Sequence, residues 1–173
     1  MHYPKLLTAT VTSLVICSAT IAVADANSAM SQIRNNHPNL LTVDRHGQIH
    51  KIIDKQLSTG RTPLASAENF IATFSEALSV DAREFVERGP FDDQHSHQDF
   101  MYIPETGGHK FTGVYYMQTA DGLPVYGTRL MLLVRNVNGY PGVSATTDLR
   151  DVVGYKKPSR LVQSEAVALM AAA

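Results

Sequence analysis

The sequence predicts an α+β fold: an antiparallel β-sheet of hairpins packed against one amphipathic helix, with an incomplete helix at the C-terminus. Three observations carry that expectation. From Phe100 to Thr147, β-branched and aromatic runs are punctuated by Asp121-Gly122 and Asn138-Gly139, dipeptides that close tight hairpins. Between Leu64 and Leu78, apolar residues recur at three- and four-residue steps, the period of a helix with one buried face. The two patterns are segregated along the chain instead of alternating, which separates α+β from α/β.

The elements follow in order. "MHYPKLLTATVTSLVICSATIAVA" (1–24) opens with Lys5 and continues as an apolar run from Leu6 to Val23. Small residues at Ala22 and Ala24 then mark a signal-peptidase site between Ala24 and Asp25. A retained transmembrane anchor is the competing reading; the run is only marginally long enough, is diluted by Ser and Thr, and lacks a basic stop-transfer flank. The expectation is therefore a signal peptide, with export to the periplasm or outside the cell and no membrane contact after its removal. The single cysteine, Cys17, lies inside this segment, so the exported chain rests on an apolar core with no disulfide.

Residues 25–38 are polar and read as a flexible leader, and 39–155 read as one α+β domain. "NLLTVDRHGQIHKII" (39–53) is a hairpin around Asp44 to Gly47. Thr62-Pro63 starts a helix whose stripe is Leu64, Ala67, Phe70, Ile71, Phe74 and Leu78. A second short helix is expected at Val80 to Phe85, and 87–99 form a polar connection. Strands are expected at Phe100–Ile103, Lys110–Thr119, Gly127–Asn136 and Tyr140–Thr147. "RLMLLVR" is apolar at both parities, which predicts a central strand with something on each side. "LVQSEAVALMAAA" starts a further helix, placing the beginning of a second domain at 156–173.

Charge and motifs narrow the function. With 15 Lys+Arg against 16 Asp+Glu the formal charge is −1, which argues against an electrostatic grip on nucleic acid or an anionic membrane. His46 and His50 have the spacing of a zinc-protease helix, but Gly47 and Gln48 stand between them and the context is a turn. His95 and His97, with Asp92, Asp93 and Asp99 nearby, are weak metal candidates in a solvated loop. There is no Gly-x-Ser-x-Gly, no mature cysteine and no phosphate loop, since "TGGHK" lacks the spacing. The expectation is no catalytic residue, no metal and no cofactor.

"FTGVYYMQTADGLPVYGTRLMLLVRNVNGYPGVSATTDL" (111–149) carries Tyr116-x-Gln118, a turn to Gly122, then Leu123-Pro124-Val125-Tyr126-Gly127, an apolar strand and Asn138-Gly139. This pattern resembles the fungalysin/thermolysin propeptide domain, the pro-region of secreted thermolysin-type zinc proteases. The resemblance extends over about 40–160, and "LVQSEAVALMAAA" looks like the start of a PepSY-type domain. It implies a non-catalytic zymogen segment that inhibits a thermolysin-type metalloprotease catalytic domain, in cis or in trans, and assists its folding. Gln118, Gly122, Leu123, Pro124, Val125, Tyr126 and Gly127 are the candidate partner contacts. The histidines that the family often carries are replaced here by residues such as Gly113 or Val114, and Leu133, so no role of theirs transfers. The sequence holds no His-Glu-x-x-His, so the alternative is a free-standing secreted module that inhibits proteases or binds another ligand.

Overall fold

The chain's hairpin signals become one antiparallel sheet. The computed structural model describes residues 18–90, 95–152 and 154–157. A helix Ser18–Asn36 (α1) is followed by strands Leu41–Arg45 (β1) and Gln48–Ser58 (β2), then a helix Pro63–Phe74 (α2). Strands Phe85–Glu87 (β3), His97–Ile103 (β4), Gly108–Ala120 (β5), Leu123–Pro124 (β6), Arg129–Arg135 (β7) and Gly142–Asp148 (β8) complete the described elements. The sheet order is β1-β2-β8-β7-β5-β3, with β4 and β6 also paired to β5. The fold is α+β with the sheet dominant.

The turns form for identifiable reasons. His46 and Gly47 both have positive φ (54° and 77°), as do Asp121 and Gly122 (49° and 75°). Two consecutive positive-φ residues are the type I′ pattern, whose twist matches that of the flanking strands. Asn138-Gly139 instead centres a wider turn, closed by the Tyr140 amide donating to the Val137 carbonyl at 2.9 Å. The helix α2 starts as its sequence dictates: Thr62 Oγ1 accepts from the Ala65 amide at 3.1 Å, and Pro63 occupies the first turn. It is shorter than its stripe, which runs to Leu78, because the chain passes after Phe74 into a 3-10 turn at Glu76–Leu78. The short helix expected at Val80 to Phe85 is a second 3-10 turn, Ala82–Glu84.

The centre of one face of the sheet is buried on the side of α2. Ile52, Ala145, Leu132 and Val114 lie side by side across four strands, all with no exposed surface. Phe70 and Phe74 of α2 stack on each other at 4.4 Å and are equally buried. Burial of each such ring contributes about 2–3 kcal/mol.

The flexible leader expected at 25–38 is a correction. Residues 26–36 belong to α1, and Met30 and Ile33 are part of the core. The reason is a short stripe, Ala29-Met30 and Ile33, hidden in a polar stretch and completed by tertiary contact. His37, just beyond the helix, holds the Asp54 carboxylate of β2 at 2.8 Å and tilts against Phe74. The helix α1 thus joins α2 as a second α-helix, at a place where none was expected. Residues 1–17 of the expected signal segment lie outside the described residues, and the expected cleavage site between Ala24 and Asp25 falls within α1. The expected C-terminal helix also lies outside them, from residue 158 onward.

Candidate functional site

The Leu123–Gly127 motif forms a rigid knuckle beside the β5 strand. Between β6 and β7 the returning strand carries three more residues than its partner, since Thr119 pairs with Pro124 but Tyr116 pairs with Leu130. The surplus is folded into a turn at Val125–Thr128. The Thr128 amide donates to the Val125 carbonyl at 3.4 Å, and Gly127 has φ 71° while Tyr126 does not share it. That is the type II pattern, which requires positive φ at its third residue and so explains the glycine. Thr128 Oγ1 locks the turn by donating to the same carbonyl at 2.7 Å while accepting from the Gln118 amide at 3.2 Å. The Val125 amide completes the ring by donating to the Gln118 carbonyl at 2.9 Å.

This construction displays one side chain. Tyr126 is 75% exposed at the tip. Leu123 and Val125 are half-buried beside it, and Gly122, Pro124 and Gly127 are exposed. Pro124 lacks an amide, which suits a two-residue strand whose pairing stops there. The turn's hydrogen bonds fix the backbone under Tyr126, so only the ring itself has to be ordered when it enters a partner's pocket.

Gln118 departs from the expected partner contacts and is a correction. Its side chain is fully buried. Its amide Nε2 donates to the Arg150 carbonyl at 3.0 Å, and its Oε1 accepts from the Arg150 amide at 3.0 Å. The residue is therefore an internal staple that binds the segment after β8 to the sheet as a strand neighbour would. The same segment is fixed again where the Lys157 amide donates to Asp121 Oδ2 at 2.9 Å. Nothing local in the sequence marks this strap, because its partners are 32 and 36 residues away.

The histidines do not assemble. His46 sits at a turn, whereas His50 lies in β2 with Nδ1 2.8 Å from the Thr147 carbonyl and 3.2 Å from Asp148 Oδ1. His97 Nδ1 is 3.0 Å from Ser96 Oγ, which itself donates to Glu87 Oε2 at 2.8 Å. His95 is exposed, Asp99 accepts from Thr112 Oγ1 at 2.6 Å, and Asp92 and Asp93 lie outside the described residues. Among the described residues no group of three His, Cys, Asp or Glu is placed to hold a metal. Nor is any described helix long and apolar enough to cross a membrane.

A cleft of about 500 Å³ opens between α1, the β1–β2 turn and Leu149–Asp151. Its walls mix Met30, Ile49 and Leu78 with Arg34, Asp44 and Arg150, a composition with no dominant chemistry. No protein-family model, curated protein or solved structure matches this chain.

Proposed function

We propose that the chain is a non-catalytic, exported pro-region that binds a thermolysin-type zinc metalloprotease catalytic domain, restrains it and assists its folding. The observation that carries this reading is the knuckle: the motif on which the resemblance rests is folded into a locked turn that offers Tyr126 to a partner. A pro-region works by binding the native or near-native protease better than its unfolded chain, which shifts the folding equilibrium by mass action. Such binding requires a preorganised surface and no chemistry of its own. The turn meets that requirement because its hydrogen bonds are internal to the hairpin.

The test mixes the purified chain with a thermolysin-type catalytic domain at equimolar amounts and follows both proteolysis and refolding yield. Slowed turnover and a raised yield are expected. Replacing Tyr126 with Ala removes the anchor and is expected to cost about 2 kcal/mol of binding, roughly 30-fold in Kd. Circular dichroism of the variant should match the parent, since the side chain is outside the core. A chain that neither slows the enzyme nor helps it refold is not a pro-region of this class.

A further inference from the structure

The face of the sheet turned away from α2 is apolar, half-exposed and basic. By strand register, Ile53, Leu133 and Met131 lie at its centre with Phe111 beside them, each half-buried where their neighbours on the other face are fully covered. Leu41, Val43 and Val86 on the same face are 63%, 50% and 47% exposed. Tyr115 is the exception, buried because the Phe100 ring lies over Gly113 beside it; a Cβ at Gly113 would come within 2.8 Å of that ring.

The charges on this face are one-sided. Arg45, Lys51, Arg129 and Arg135 share its register, and the Lys110 ammonium sits 5.6 Å over the Phe111 ring. Among the described residues the one carboxylate on this register is Asp148, which lies 3.4 Å from Arg129 and 3.2 Å from His50. Lys51, Lys110 and Arg135 have no ion-pair partner among the described residues. Among the described residues of a chain whose formal charge is −1, this register thus carries four basic side chains against the single carboxylate of Asp148.

We propose that this face docks an acidic protein surface bearing apolar side chains. Apolar contact supplies the area, and the basic residues select an acidic partner and repel a basic one. The inference rests on the reading of the chain as a partner-binding module, but not on the identity of the partner.

The test uses two twelve-residue peptides, one alternating Glu with Leu and one alternating Lys with Leu, titrated into the purified chain. Extended, each spans about 40 Å, enough to cross the sheet. The acidic peptide is expected to bind at least tenfold tighter than the basic one, to weaken with added salt, and to shift the methyl resonances of Met131 and Leu133. Lys51→Glu and Arg135→Glu should each weaken it about fivefold with unchanged circular dichroism. Equal affinity for both peptides, or shifts confined to other surfaces, would overturn the proposal. So would finding those methyls already covered, either by a second copy at micromolar concentration or by residues 158–173 in a way that truncation after Lys157 relieves. Protease inhibition without peptide discrimination would remove this face alone; discrimination without inhibition would remove only the protease as partner.

Discussion

At the scale of single residues, two buried polar side chains make a contrast. Gln118 satisfies two backbone groups of Arg150 with one side chain. Tyr116 is 5% exposed, and its hydroxyl has no hydrogen-bond partner among the described atoms. Burial, with Glu87 and Glu68 nearby, pushes its phenol well above the ordinary value of 10.0. Burial also raises Tyr115. The sign of the pH dependence follows. Above about pH 10 the unfolded chain gives up these protons while the folded chain keeps them, so stability is full below that pH and falls as it rises further. Tyr116→Phe removes an unpaired buried hydroxyl, so at pH 7 it should be neutral or stabilising by up to about 1 kcal/mol. It should also flatten the loss of melting temperature between about pH 9 and 11.5 relative to the parent. An identical alkaline slope in the two proteins would show that the Tyr116 proton is released without penalty. None of this was legible in advance: "TGVYYMQ" marks both tyrosines as strand residues but not which of them is orphaned.

Elements that announce themselves locally were read well, and elements completed by distant contacts were not. Thr62-Pro63 and Asp121-Gly122 act within four residues of themselves, so their cap and turn follow directly from sequence. The knuckle was half-legible: Leu123 to Gly127 stood out as a motif, but the three surplus residues that make it a type II turn depend on pairing with β5. The α1 helix was missed because its stripe is only a few residues long and the rest of 25–38 is polar. Its worth can be measured. Ile33 is 6% exposed within the core, so Ile33→Ala should cost about 2–4 kcal/mol in urea unfolding. A leader without tertiary contacts would lose less than about 0.5 kcal/mol at the same position. A change that small would mean that α1 does not dock on α2 and the 3-10 turn at Glu76–Leu78.

For the whole molecule the decisive feature is that the sheet has two unlike faces. Composition and periodicity predicted both, since "RLMLLVR" is apolar at each parity, but could not say which face α2 would take. The two rows differ in polarity: Ile52, Ala145, Leu132 and Val114 form a continuous apolar row on the side of Phe70 and Phe74, whereas the opposite row carries Lys51, Thr146 and Met131. Two adjacent residues of β7 therefore make a direct comparison. Leu132→Glu puts a carboxylate under α2 without a partner, a burial costing several kcal/mol, and should leave the chain unfolded at room temperature. Leu133→Glu, one residue along the same strand, places the same group on the half-exposed face near Arg135 and should cost only about 1 kcal/mol. Circular dichroism and urea titration of the pair distinguish the cases. Equal loss of structure in both variants would mean that the second face is as deeply covered as the first. A folded Leu133→Glu chain beside an unfolded Leu132→Glu chain would instead locate the boundary between core and surface within a single peptide bond.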